Sequence, residues 1–222
     1  MSICTRATET TAAHSINCAL PVTLTRRSAD STPLAGGVHR KTPVTLSRGS
    51  VASRYSGNVQ GVVIQVNISR GGVPKRSIPE AQVTPTGLEG DACAHPQIHG
   101  GPNQALLIIS AEAIDDLTER GYPLFYGALG ENITTSGLDR TRIRLGQRYR
   151  LGSSIIEITK VRGPCSTLDV YGNTIQRELY DKSIKAGDAT SPRWGMSGFY
   201  ARVIEPGMVR PNDIIALLDQ VV

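Results

Sequence analysis

The stretch TRIRLGQRYRLGSSIIEITKV, residues 141–161, alternates polar and apolar side chains around Gly146 and Gly152. Alternation with a period of two predicts strands that bury one face, and glycine at the breaks permits tight turns. We therefore expect successive antiparallel strands across this segment.

Apolar runs of strand length lie on both sides of this segment. They occupy residues 57–69, 104–110, 198–207 and 212–219. Short strands outnumber helices, and no alternation of strand and helix repeats along the chain. The sequence therefore predicts a mainly β fold of the α+β class, a β-barrel with a few inserted helices, rather than a doubly wound parallel sheet.

Two helices are expected between the strands. Ser110 can cap a helix over residues 111–120, whose acidic residues fall in the early turns. A second helix is predicted over residues 173–187, with Gly187 at its end.

The N-terminal residues differ in composition from the rest of the chain. Residues 1–57 contain seventeen Ser or Thr, and seven Lys or Arg against two acidic residues, a difference of +5. Residues 58–222 carry seventeen basic and seventeen acidic side chains. We expect residues 1–57 to be a disordered extension, with an organelle transit peptide as the alternative, and residues 58–222 to form one domain. The basic pI gives no reason to expect nucleic-acid binding by the domain.

The sequence also limits the location of the protein. Its longest apolar runs are far shorter than the roughly 20 residues that cross a bilayer, so we expect no membrane contact. The domain has only two cysteines, Cys93 and Cys165, which is typical of a reducing compartment. We predict a cytoplasmic protein, although the N-terminal residues leave organelle targeting open.

Several groups capable of chemistry lie in GLEGDACAHPQIHGGPNQAL, residues 87–106. They are Asp91, Cys93, His95 and His99, followed by the glycine pair Gly100 and Gly101. The glycines would let a ligand approach the backbone closely. One alternative is a zinc site built from Cys93, His95 and His99, and another is a plain glycine-rich turn.

A second group surrounds VRGPCSTLDVYG, residues 161–172. Gly163 and Pro164 should end the preceding strand and place Cys165 on the turn beyond it. Lys160 and Arg162 lead into this turn, where positive charge favours a thiolate and could bind an anionic ligand. We therefore consider Cys165 a candidate nucleophile or metal ligand, with an inert core thiol as the alternative.

In order and spacing, these stretches resemble the MOSC domain family, named for the C-terminal domain of molybdenum-cofactor sulfurases, and in particular its compact YiiM-like branch. The matching stretches are GLEGD (87–91), HGGPNQAL (99–106), LGENIT (129–134), LG (145–146), VRGPCSTL (161–168), GFYARVIEPGMV (198–209) and ND (212–213). The resemblance implies a barrel-like β fold. It also implies a cysteine, here Cys165, that either ligates the molybdenum of the pterin cofactor or carries sulfur as a persulfide.

The resemblance further implies an oxidoreductase that reduces N-hydroxylated small molecules, with molybdenum cofactor (molybdopterin) and electrons from a redox partner protein. His99 would supply a proton to the breaking N–O bond, and Asp91 would orient His99. The cofactor-binding candidates are Gly100, Gly101, Asn132, Lys160 and Arg162. Ser166 and Thr167 stand where relatives often carry a basic residue. The rival function is a sulfur carrier or cofactor-delivery module without turnover of its own.

Overall fold

Seven strands close into a barrel in the computed structural model, which describes residues 60–218. The predicted extension over residues 1–57 lies outside this range. The described residues contain eleven strands in all, of which seven form the barrel. They are β1 (Gln60–Ile68), β2 (Arg76–Ile78), β3 (Ala81–Thr84), β4 (Gly87–Leu88), β5 (Leu106–Ser110), β6 (Ile133–Ser136), β7 (Arg148–Leu151), β8 (Ser154–Val161), β9 (Phe199–Glu205), β10 (Gly207–Val209) and β11 (Ile214–Leu217). The mainly β barrel expected from the sequence is confirmed.

Neighbouring strands in the barrel follow the order β11-β7-β8-β9-β5-β6-β1, and pairing of β1 with β11 closes the ring. All of these pairs are antiparallel except β5 with β6, which is parallel. β2 adds to β1, while β10, β3 and β4 form a separate three-stranded sheet. The alternating segment at residues 141–161 supplies β7 and β8, which pair as the sequence predicts. The strand expected before Gly146 does not form, because the Asp139 side chain caps a 3-10 helix over Arg140–Arg142 and β7 begins only at Arg148.

Strand β5 separates the two hydrophobic cores. Leu106 and Ile108 belong to a cluster that draws on all seven barrel strands, whereas Leu107 and Ile109 belong to a second cluster beside the helices. Side chains alternate across a strand, so both faces of β5 are covered and all five of its residues are buried. The continuous apolar run in this strand follows from that double burial.

The helices are short. They are α1 (Pro96–His99), α2 (Ala111–Glu119), α3 (Ile175–Leu179) and α4 (Lys182–Lys185). Ser110 caps α2 as predicted, because its side chain accepts a hydrogen bond from the Ala113 amide at 3.3 Å. Within residues 60–218, no helix is long and apolar enough to cross a membrane.

The prediction of one helix over residues 173–187 is wrong. Tyr180 has extended backbone angles and ends α3. The Asp181 carboxylate then accepts a hydrogen bond from the Ile184 amide at 2.9 Å and starts α4 as a separate helix. An N-cap residue inside an apparently continuous helical pattern therefore divides it in two.

Candidate active site

A cavity of about 500 Å³ lies where β8 ends and β6 and β9 begin, beside the segment that follows β4. This volume is within the usual range for small-molecule sites. Six of the eight predicted site residues line it: Asp91, His99, Gly100, Asn132, Arg162 and Cys165. The structure thus brings together residues that lie as far apart in the sequence as Asp91 and Cys165.

Two predicted site residues do not line the cavity. Lys160 lies in a separate surface depression with Glu157 and Arg202. Gly101 has a φ of +93° and open space where a Cβ would stand, so its backbone angle alone explains the glycine. Gly100 does line the cavity, but a Cβ there would lie 2.8 Å from the Pro96 carbonyl oxygen. The positive φ at Gly101 and the nearby Pro96 carbonyl at Gly100 therefore explain why both positions are glycine.

Cys165 directly follows the strand-breaking Gly-Pro pair, as predicted. β8 ends at Val161, and a 3-10 helix over Ser166–Tyr171 begins just beyond the cysteine. Cys165 is half-buried, and its Sγ lies 2.8 Å from the Thr167 hydroxyl. A hydroxyl can donate to a thiolate, so Thr167 offers the sulfur a neutral hydrogen bond where a basic residue was expected.

His99 is the last residue of α1 and faces Tyr200 on β9. Its Nδ1 lies 3.1 Å from the Tyr200 hydroxyl. Burial lowers the pKa of His99, and the positive charge of Arg162 lowers it further, followed by smaller effects of His95 and Lys160. His99 is therefore mostly neutral at pH 7, and its hydrogen-bonded partner is Tyr200 rather than Asp91.

Asp91 is held by other groups. Its Oδ1 accepts a hydrogen bond from the Ser69 amide at 2.8 Å, and its Oδ2 accepts one from Asn132 Nδ2 at 2.8 Å. The same Oδ2 forms an ion pair with Lys75. The carboxylate is thus held by Ser69, Asn132 and Lys75, whereas the His99 ring contacts Tyr200.

Asn132 connects this network to the barrel. Its Oδ1 accepts a hydrogen bond from the Leu107 amide at 3.1 Å, while its Nδ2 donates to Asp91. Both functions of the amide are thus used within the protein. Asn132 lines the cavity mainly as part of a fixed wall that extends from Lys75 to β5.

Arg162 is the buried cation of the site. It is only 4% exposed, and its Nη2 donates to the Leu129 carbonyl at 3.1 Å. Its Nε and Nη1 have no hydrogen-bond partner among residues 60–218. Buried guanidinium nitrogens are nearly always paired, so Nε and Nη1 are donors that the described residues leave unsatisfied.

Glu131 is a buried carboxyl close behind this wall, and the sequence analysis assigned it no role. It accepts hydrogen bonds from the Gly127 amide and from the Thr134 hydroxyl. Burial raises the pKa of Glu131, while these hydrogen bonds and the Arg162 charge act in the opposite direction. The Arg162 charge therefore acts on Glu131, but burial dominates and favours the neutral carboxyl.

The zinc alternative is not supported. Cys93, His95 and His99 all line the cavity. However, no group of three or more His, Cys, Asp or Glu side chains within residues 60–218 is placed to hold a metal ion. A metal here would need most of its ligands from elsewhere, such as a cofactor.

Several residues of the cavity wall were not predicted from the sequence, notably Tyr200, Lys75 and Gln104. Tyr200 stands in an apolar run and was assigned to a strand, where an aromatic residue is ordinary. Burial raises the pKa of its hydroxyl, while the charge of the neighbouring Arg162 and a hydrogen-bonding interaction with that side chain lower it, so Tyr200 stays protonated at neutral pH. The available signal was the Tyr200 hydroxyl, because the hydroxyl of a buried tyrosine usually has a hydrogen-bond partner.

A closed, mainly β barrel is the fold that the sequence resemblance led us to expect. Residues 95–216 match the MOSC domain family, and this range is more than half of the 222-residue chain. The chain belongs to the MOSC domain family.

Several individual proteins are similar to this chain. YflK of Bacillus subtilis (strain 168) is 31% identical over 135 residues, covering 60% of this chain and 56% of the relative. YiiM of Escherichia coli (strain K12) is 30% identical over 146 residues, covering 64% and 61%. A protein of Gibberella moniliformis named "Reductase" is 28% identical over 140 residues, covering 61% of this chain and 23% of that protein. The chain thus spans less than two thirds of the length of these relatives.

Solved structures support the fold. YiiM from Geobacillus stearothermophilus superposes with a TM-score of 0.54 at 24% identity, over 73% of this chain and 77% of the other. YiiM from Escherichia coli gives 0.53 at 24% identity, over 72% and 71%. At this level of identity the likeness concerns the fold alone.

Proposed function

We propose that this protein is an oxidoreductase that binds molybdenum cofactor and reduces N-hydroxylated small molecules, with Cys165 as a ligand to molybdenum. The observation that carries the proposal is the position of Cys165 on the wall of a cavity that also contains the underpaired guanidinium of Arg162. Membership of the MOSC domain family supports it. So does the name "Reductase" of the similar Gibberella protein.

The residues of the cavity fit such a cofactor. A thiolate is a soft ligand suited to molybdenum, and a single protein ligand suffices when the cofactor contributes the others. Arg162 would bind the phosphate of the pterin, because phosphate accepts the hydrogen bonds that Nε and Nη1 lack. When bound, the cofactor supplies two-electron redox chemistry at molybdenum.

Protein side chains would donate the protons that this reduction consumes. Breaking the N–O bond of a hydroxylamine consumes two electrons and two protons and releases the amine and one water. His99 lines the cavity and is our candidate donor for one of these protons, which it would first take up from solvent because it is mostly neutral at pH 7. Tyr200 would fix its ring through Nδ1. Asp91 and Asn132 would keep the opposite wall in place through their contacts with Lys75 and β5.

The electrons need an external source. Each N–O bond broken requires two electrons, and we propose that a redox partner protein delivers them. We also keep the cytoplasm as the proposed location.

A sulfur carrier is the second candidate function, and the contact between Cys165 and Thr167 favours it. The Thr167 hydroxyl lies 2.8 Å from Sγ and could also stabilise an anionic sulfur species. In this alternative, Cys165 would hold a persulfide and pass its outer sulfur to an acceptor. No substrate would be reduced by the protein itself.

The test is the molybdenum and pterin content of protein purified from a cofactor-producing host. We expect near-stoichiometric molybdenum in wild type, loss of metal in Cys165→Ser, and retention in the matched control Cys93→Ser, whose cysteine lines the same cavity. Loaded wild type should also reduce an N-hydroxylated test compound when given a chemical electron donor. Wild-type protein without molybdenum that releases sulfide on thiol reduction would refute the oxidoreductase and favour the carrier.

A further inference from the structure

Val170 is an exposed apolar residue on the cavity wall, and the function proposed above gives it no role. Its fractional exposure is 76%, and it lines the same cavity as Cys165. Single exposed apolar residues are common on protein surfaces and need no explanation by themselves. The position of Val170 within its helix, however, relates its side chain to the cysteine.

Two faces of the 3-10 helix over Ser166–Tyr171 are directed away from the cavity. A 3-10 helix turns once every three residues, so side chains three positions apart lie on one face. Leu168 and Tyr171 form the face that packs on the second hydrophobic cluster, and Leu168 is fully buried there. On another face, the Asp169 carboxylate accepts a hydrogen bond from Gln176 Nε2 at 2.6 Å.

The third face of this helix consists of Thr167 and Val170, and both residues line the cavity. The Thr167 hydroxyl lies 2.8 Å from Cys165 Sγ, so this face begins at the cysteine. A 3-10 helix rises about 2 Å per residue, which places Val170 about 6 Å beyond Thr167 along the helix axis. A ligand held beside Cys165 therefore contacts Val170 only if it carries a substituent of roughly that length, such as a ring.

The rest of the cavity wall also suits an apolar group. Lys75 and Asp91 form an ion pair with each other, and Asn132 donates to Asp91, so these polar groups already have partners. Apolar residues line the cavity as well, among them Val73, Leu88, Leu107 and Leu129. An apolar substituent would cover the exposed surface of Val170, and removing both surfaces from water favours binding.

We propose that Val170 is a specificity-determining residue and that the substrate carries an apolar group of about the size of a ring beside its N-hydroxyl group. The apolar group packs on Val170, and the N-hydroxyl group lies at the Cys165 end of the cavity. This inference rests on the proposed function for the N-hydroxyl group. The apolar contact rests on the exposure of Val170 and on the face of the helix that it shares with Thr167.

The experiment measures the dissociation constants of two amidoximes by isothermal titration calorimetry, using full-length protein of known molybdenum content. Benzamidoxime and acetamidoxime share the N-hydroxylated group, but the phenyl ring of the first replaces the methyl group of the second. Both are titrated into wild type, Val170→Asn and Val170→Leu. The control is Val62→Asn, because Val62 is 39% exposed on β1 and does not line the cavity.

We expect wild type and Val62→Asn to bind benzamidoxime about tenfold more tightly than acetamidoxime. Val170→Asn should reduce this preference to about twofold by weakening benzamidoxime alone, and Val170→Leu should retain it. Val170 is exposed, so its replacement should leave folding and molybdenum content unchanged. Protein that lacks molybdenum but shows this pattern would refute the proposed function and support the apolar contact.

Four outcomes would overturn the inference. The first is an unchanged preference in Val170→Asn, and the second is an equal loss of affinity for both compounds. The third is a lower molybdenum content in Val170→Asn than in wild type, which would mean that Val170 contacts the cofactor rather than the substrate. The fourth is that neither compound binds to wild type.

Discussion

Replacing Asp91 by Asn tests whether this carboxylate holds the cavity wall together or takes part in proton transfer. The asparagine keeps an oxygen for the Ser69 amide but places an NH2 group against two donors, Lys75 and Asn132. Two hydrogen bonds to a charged group are lost, each contributing about 1.5–3 kcal/mol. The ion-paired side chains are 11% and 13% exposed, between the surface and fully buried cases. We therefore expect the free energy of unfolding to fall by about 3 kcal/mol.

The assay is urea unfolding followed by the fluorescence of Trp194, the single tryptophan of the chain, which lies in the barrel core. With an m-value of about 2 kcal/mol/M, the midpoint should fall by roughly 1.5 M urea. Asp115→Asn is the control, because that carboxylate is exposed and its variant should stay within about 0.5 kcal/mol. If Asp91→Asn kept the stability of wild type but lost reductase activity, Asp91 would act in the reaction rather than as a support of the cavity wall, and the reasoning would fail.

Three further outcomes follow from the geometry. Tyr200→Phe removes the hydroxyl that faces His99 Nδ1, so turnover of an N-hydroxylated compound should fall about tenfold at unchanged molybdenum content; unaffected turnover would show that the ring needs no such partner. Lys160→Gln removes one positive charge that lowers the pKa of His99, so NMR titration of the imidazole should show that pKa rising toward 6.5, and a fall would contradict the assignment. Ser110→Ala removes the cap of α2 and should lower the free energy of unfolding by about 1 kcal/mol, measured by urea unfolding against Ser77→Ala, whose serine is exposed on β2; equal losses in the two variants would argue against the cap.

Long periodic segments were predictable from the sequence, and short or interrupted ones were not. Residues 141–161 carried enough alternation to define β7 and β8, and the cap at Ser110 fixed the start of α2. β4 is only two residues long, and no periodicity can be read from two residues. The sequence did not reveal the end of helix α3 at Tyr180, because Asp181 can be either a residue within a helix or the N-cap of a new one.

Site residues whose chemistry follows from their residue type were predicted. Site contacts between residues far apart in the sequence were missed. Cys165 and Arg162 flank a Gly-Pro turn, and their types and positions suggested a thiolate beside positive charge. The choice of Tyr200 as the partner of His99 joins residues 101 positions apart. Only the pairing of β9 with its neighbours decides that contact, so local patterns could not show it.

The closure of the barrel has a consequence for synthesis of the chain. β1 pairs with β6 along part of its length, but Gln60 to Val62 complete the ring by pairing with residues 214–216. During translation, this part of β1 therefore stays unpaired until almost the whole described domain has left the ribosome. An unpaired strand edge favours association with other chains, and contacts between distant residues form slowly. The nascent protein is thus most vulnerable to aggregation just before β11 leaves the ribosome, and a destabilised β11 would prolong that period.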